Sequence, residues 1–229
     1  ERNHRALWLE FAEALGVPLY LHPADPPEPV ASCTGYPLDR AAWGWAFETG
    51  SHALRLVLAG VFDRFPGATL MLGHMGELLP YSLARLADRY DFYEANPALA
   101  HPPSHYVKTN VAVTTSGVND AAPLRCAIDV MGADRVLFAV DYPYQRNAEA
   151  VSFIEHADLS DAEREAICHA NAERLLAIPT QLIHPGIKRA SLYVKHVRRE
   201  SALEVRRKKL LARVVRSLPI GEQLHQERV

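Results

Sequence analysis

What the sequence lacks narrows its roles before anything else. No apolar run in the 229 residues approaches the roughly 20 needed to cross a bilayer, so no helical membrane anchor is expected. Residues 1–10, "ERNHRALWLE", show neither a signal-peptide pattern nor an initiator Met, and read as a start within a longer protein. Cysteine is scarce: Cys33, Cys126 and Cys168 are odd in number and lack Cys-x-x-Cys spacing. They argue against a disulfide framework and for a reducing compartment, so the expected location is cytoplasmic. Gly-x-Gly-x-x-Gly and Walker patterns are missing, which removes the usual signs of nucleotide binding.

What is present is an ordinary packed globule, 48% apolar and 23% charged. The length suits one domain or most of a larger one. The net charge of −2 hides an asymmetry. Residues 1–179 hold 13 Lys/Arg against 23 Asp/Glu, whereas residues 180–229 hold 12 against 4. A change of sign that abrupt divides the chain into two segments with different roles.

Four apolar, partly β-branched segments predict strands: residues 17–23 (VPLYLHP), 68–76 (ATLMLGHMG), 105–115 (HYVKTNVAVTT) and 135–143 (RVLFAVDYP). Helical patterns lie between and after them. Residues 48–64 put Leu54, Val57, Leu58 and Val61 on one face, and residues 77–95 do the same with Leu83, Leu86 and Tyr90. A third helix begins at Ser160, where "SDAE" is a capping box, and runs to about Leu176. Strands alternating with helices imply βαβ units and a parallel sheet.

The last strand raises a question, because its apolar run ends directly on Asp141. An unpaired carboxylate leaving a hydrophobic core is costly. Other strand ends are also polar: His22, His74, and Thr114, Thr115 and Ser116. Active sites of α/β barrels are built at such C-terminal strand ends. Imidazole and carboxylate together suit Zn²⁺ and similar divalent ions, and a cation would offset the cost at Asp141. Taken singly, His22 and Asp141 are explained more readily as a histidine bonded to backbone and an aspartate capping the next turn. His101 and His105 are separated by two prolines, so they are not expected to share a helical face and are read as a surface turn. Cys168 and His169 are read as helix packing, and Trp43 and Trp45 fit either a pocket wall or a subunit contact.

The blocks "LYLHP", "WGWAFETGSHALRLVLAGVFDRFPGATLMLGHMGELLPY", "TTSG", "LFAVDYPY" and "NAERLL", in this order, resemble the amidohydrolase-related decarboxylases. That family includes the γ-resorcylate, 2,3-dihydroxybenzoate and 5-carboxyvanillate decarboxylases. The likeness covers about residues 5–178. It implies an α/β fold, a metal-dependent hydrolase-type TIM (β/α)8 barrel of which this chain carries about strands 5–8. It also implies a divalent ion, Zn²⁺ or Mn²⁺, held by His22 and Asp141, with Asp141 also moving a proton. His74 and Glu77 match the catalytic histidine and the acid that partners it. Arg85, eleven residues after His74, matches a substrate-holding arginine, and Tyr144 would line the aromatic pocket. The implied substrate is an aromatic carboxylic acid of the hydroxybenzoate type, and an intact version is expected to be a homo-oligomer.

Two departures qualify this. The family's opening strand carries a Glu-x-His or His-x-His pair, and "ERNH" at residues 1–4 has the wrong spacing. The chain is therefore expected to hold only the second half of the barrel, as a unit of residues 1–178. Residues 179–229 fall outside the likeness and are expected to form a basic helical tail, with "RRKK" at 206–209. Such a helix fits a solvated extension or a partner surface; no aromatic interleaving favours nucleic acid. The alternatives to a decarboxylase are a lactone or amide hydrolase on the same scaffold, and a catalytically silent truncated protein.

Overall fold

The structure, a computed structural model, describes residues 12–14, 16–25, 38, 40–90, 92 and 98–177. The elements are β1 (Leu19–Leu21), α1 (Gly44–Leu58), α2 (Val61–Arg64), β2 (Leu70–Leu72), α3 (Leu79–Tyr90), α4 (Pro103–Asn110), β3 (Val111–Thr114), α5 (Ala121–Met131), β4 (Val136–Leu137), α6 (Asn147–His156) and α7 (Asp161–Glu165). A π turn (Ala166–Ala170) and α8 (Asn171–Leu175) follow α7 without a break. The expected tail lies outside the described residues, as does Cys33. Among the described residues, no helix is long and apolar enough to cross a membrane.

The four strands are parallel and lie side by side in chain order, β1-β2-β3-β4. That is the order of strands around an α/β barrel; a doubly wound sheet reverses its order partway. Because side chains alternate along a strand, the sheet has two chemically different faces. Leu70, Leu72, Val111, Val113, Val136 and Phe138 point to the helical layer, where they join Val57, Phe62, Leu83, Ile128, Val151 and Ile154 in the main core. Met71, Ala112 and Leu137 point the other way and pack with Ala172 and Leu175 of α8.

Several boundaries differ from those the sequence suggests. The single helix expected over 48–64 begins at Gly44 and is broken after Leu58, where Gly60 takes the left-handed φ of 68°. The helix expected over 77–95 starts only at Leu79, because the chain first makes a left-handed turn; it runs to Tyr90, and residues 91 and 93–95 of the expected span lie outside the described residues. Segment 105–115 is not one strand. Pro102 caps α4 and Pro103 takes its first position, where a missing N–H costs nothing, so only Val111–Thr114 is extended. The prolines thus start a helix and bring the His101 and His105 rings side by side, with centroids 4.1 Å apart. The capping box at Ser160 and Glu163 is present as expected. Glu163 also accepts from Arg125 at 2.9 Å, and that bond, with those from Ser160, holds its carboxyl down to about 2. Cys168 and His169 are buried in the π turn, consistent with packing.

The last strand is the shortest, only Val136–Leu137, and its continuation is held by a side chain rather than a ladder. Phe138 turns its N–H to the Ile167 carbonyl at 2.8 Å. The buried Thr115 hydroxyl then accepts from Ala139 N–H at 3.0 Å and donates to the Ala139 carbonyl at 2.8 Å. This clamp delivers the chain to Asp141.

Candidate active site

Tyr20, Met71 and Ala112 are register partners on three adjacent strands. Two positions further on, alternation carries the same face to His22, Gly73 and Thr114. The rim reached by β1, β2 and β4 is therefore shared, and His22, His74 and Asp141 follow those three strands.

His74 begins a left-handed turn. Its φ is 47°, followed by 56° at Met75, 85° at Gly76, 52° at Glu77 and 69° at Leu78. For residues with a Cβ this conformation costs roughly 1–2 kcal/mol each. Close packing on both sides holds it. A Cβ on Gly76 would stand 2.7 Å from Val113 Cγ1, and a Cβ on Gly50 of α1 would stand 2.6 Å from the Glu77 carbonyl oxygen. Strand and helix therefore touch the turn directly. His74 N–H donates to Ser116 Oγ at 3.3 Å, and Gly76 N–H donates to the Gly73 carbonyl at 2.7 Å.

The turn folds Glu77 back onto His74, with Oε1 2.7 Å from Nδ1 and the carboxylate almost fully buried. That hydrogen bond raises the His74 pKa; burial opposes it, and the negative charges of Glu77 and Asp141 reinforce it. The other ring nitrogen, Nε2, faces Asp141 Oδ2 at 3.8 Å, an ion-pair distance too long for a direct hydrogen bond. Asp141 is itself left-handed, with φ 72°, and its carbonyl accepts from Tyr144 N–H and Gln145 N–H at 2.9 and 3.0 Å. Gly117 closes one side of the gap. A Cβ there would come within 3.0 Å of His74 Cδ2 and 3.2 Å of Asp141 Oδ2. The carboxylate that ends the last apolar run is thus placed opposite an imidazole whose positive form its surroundings favour.

His22 is exposed, and its Nδ1 lies 2.7 Å from the Pro23 carbonyl. A carbonyl only accepts, so Nδ1 carries a proton and, in the neutral ring, the lone pair is on Nε2, the form that binds a metal. Among the described residues, however, no group of three or more His, Cys, Asp or Glu side chains is placed to hold an ion. His22 and Asp141 would supply two donors, fewer than the three or four protein ligands of an ordinary site. The described residues therefore fit a metal only in part.

The other expected site residues have exposed side chains. Arg85 lies on the exposed side of α3, 3.6 Å from Asp88 and with 70% of its side chain open to solvent. Tyr144 is 82% exposed. Trp45 donates to Asp25 at 2.7 Å, and Trp43 is exposed. Sequence reasoning passed over Tyr20, Gly73 and Gly117, which shape the floor of the site. The signal for Tyr20 was its place two residues before His22, on the same strand face.

Comparison with known proteins gives concordant results. The family model described as Amidohydrolase matches residues 1–178. The γ-resorcylate decarboxylase of Polaromonas sp. (strain JS666) is 37% identical over 175 residues, covering 74% of this chain and 53% of that protein. The crystal structure of 5-carboxyvanillate decarboxylase from Sphingomonas paucimobilis aligns with a TM-score of 0.71 at 39% identity, over 75% of this chain and 52% of that one. A dihydroxybenzoic acid decarboxylase from Polaromonas sp. JS666, with bound manganese and the inhibitor 2-nitroresorcinol, aligns with a TM-score of 0.72 at 35% identity, over 78% and 55%. The chain spans about half the length of the relatives it matches.

Proposed function

The chain belongs to the amidohydrolase family, and on that premise we propose that it carries the proton-transfer half of a metal-dependent, non-oxidative decarboxylase of hydroxybenzoate-type acids. Residues 1–178 are read as about strands 5–8 of a (β/α)8 barrel, with residues 179–229 as a separate segment. The observation that carries the reading is the His74–Glu77 pair at 2.7 Å, with Asp141 facing it at 3.8 Å. In this reaction the C–C bond to the carboxylate breaks, CO2 leaves, and the electron pair stays on the ring carbon, which takes a proton. Asp141 carries that proton. Glu77 fixes the His74 ring through Nδ1, so that Nε2 is directed at Asp141 and steadies its charge. His22 and Asp141 are the donors this chain offers a divalent ion. When bound, such an ion neutralises the charge of an ortho-hydroxy carboxylate and fixes its ring. The remaining ligands are not among the described residues, and no step is assigned to the ion.

Incubating the purified chain with Mn²⁺ and γ-resorcylate, and following resorcinol by chromatography, tests the reading. Resorcinol should form and should vanish in Asp141→Asn and His74→Ala. A wild-type chain that binds γ-resorcylate and Mn²⁺ yet releases no resorcinol would sink the decarboxylase reading.

A further inference from the structure

Three hydroxyls run beneath the site in a line that the reaction as described does not use. Tyr20 OH lies 3.0 Å from Thr114 Oγ1, which lies 2.8 Å from Ser116 Oγ, and Ser116 Oγ accepts the His74 backbone N–H. The line passes over Gly73. A Cβ there would press on Ser116 Oγ at 3.2 Å and Tyr20 OH at 3.4 Å, and it would stand 3.7 Å from Glu77 Oε1. The phenol oxygen therefore lies at the level of the residue preceding His74, on the face that leads to His22.

The direction of the protons follows from which ends are buried. Thr114 and Ser116 are 2% and 5% exposed, and Tyr20 is 44% exposed. A buried hydroxyl proton without an acceptor is costly. If Tyr20 donated to Thr114 and Thr114 to Ser116, the Ser116 proton would be left unused inside the protein. If Thr114 accepted from both neighbours, its own proton would be left unused. Only the outward order, from Ser116 to Thr114 to Tyr20, puts the unused proton at the exposed end. The His74 N–H occupies one lone pair of Ser116 Oγ, which leaves the Ser116 proton available to Thr114.

We propose that Tyr20 is a substrate-binding residue whose O–H, aimed by the buried Thr114 and Ser116 hydroxyls, donates to a hydroxyl or phenolate oxygen on the ring of the aromatic acid. This deepens the decarboxylase reading and rests on it for the class of ligand. Tyr20 selects for ring oxygen: an acid without one leaves the phenol proton unsatisfied, and sites built to bond a hydroxyl reject analogues that lack it.

Equilibrium binding by the full 229-residue chain tests this without turnover, with γ-resorcylate and benzoate as the two probes. Tyr20→Phe should weaken γ-resorcylate about tenfold or more and leave benzoate unchanged. Thr114→Val should weaken γ-resorcylate by a smaller factor, and Thr114→Ser, which keeps the hydroxyl, should restore it. A Tyr20→Phe chain that binds γ-resorcylate within twofold of wild type overturns the proposal. So does equal weakening of both acids, which would mark a packing role, or wild-type affinity in Thr114→Val. A wild type that binds neither acid at about 10 mM overturns it as well. Binding without release of resorcinol counts only against the reaction, since the Tyr20 comparison is still read from affinity.

Discussion

The rim after β2 and the rim after β1 are built to different standards. After β2, every group that positions His74 is fixed by another element. Val113 and α1 press on the turn, Ser116 takes its first N–H, and buried Glu77 grips the ring. After β1, a strand of three residues pairs on one side only among the described residues, and exposed His22 bonds to the carbonyl of its own neighbour. The contrast teaches which part of the proposed site is held rigidly by the described residues. The His74–Glu77 pair is held by contacts from other elements, whereas His22, proposed above as a metal donor, follows an edge strand with no neighbour on its outer side among the described residues.

Two glycines turn that contrast into a measurement. Gly76 and Gly16 both have positive φ, 85° and 63°, but a Cβ on Gly16, near β1, meets nothing within 4 Å. Gly76→Ala adds the left-handed penalty to a clash at 2.7 Å with a side chain of the core. It should cost about 3 kcal/mol or more in urea unfolding, whereas Gly16→Ala should cost about 1 kcal/mol. Equal costs would show that the turn after β2 is not packed as described.

Glu77→Gln breaks the same region more gently. It exchanges a charge-assisted bond to His74 for a neutral one in a buried place, and should cost about 2 kcal/mol. It should also change the response to pH. The His74 pKa is raised in the folded protein, so its stabilising contribution is complete below the ordinary value of 6.5 and is lost as pH rises through the folded value. Wild-type stability should fall over that interval, and the fall should shrink in Glu77→Gln. If both chains follow the same curve from pH 6 upward, Glu77 is not what raises His74.

Much of this was legible in the sequence wherever one residue type determined the local structure. The alternating polar ends of the apolar runs named His22, His74 and Asp141, and Ser160 with Glu163 announced a helix start that the structure contains. The turn after β2 was not legible. "GHMGELL" follows an apolar strand and reads as the start of a helix, and only tertiary contacts from Gly50 and Val113 stabilise five consecutive left-handed residues. The span of β4 was misleading for a related reason. Five apolar residues suggest a full strand, but the ladder ends after two because Ile167 and Thr115 supply the next partners. Helix α5 was overlooked although Asp120 caps it and Leu124, Ala127, Ile128 and Met131 repeat at helical spacing.

The smallest expected effect falls on the other side of the comparison. His22 is exposed, and its only described hydrogen bond is to the adjacent carbonyl, so little of the fold depends on it. His22→Ala should change unfolding free energy by no more than about 0.5 kcal/mol, the ordinary range for a surface substitution. The same variant should lower Mn²⁺ affinity if Nε2 is a donor, because neither the Nδ1–Pro23 bond nor Asp141 replaces that lone pair. Urea unfolding and a titration of free Mn²⁺ by electron paramagnetic resonance separate the two consequences. A large stability loss would place His22 in the packed part of the structure and erase the distinction between the two rims. Unchanged Mn²⁺ affinity would remove it from the metal donors while leaving the His74, Glu77 and Asp141 arrangement as it stands.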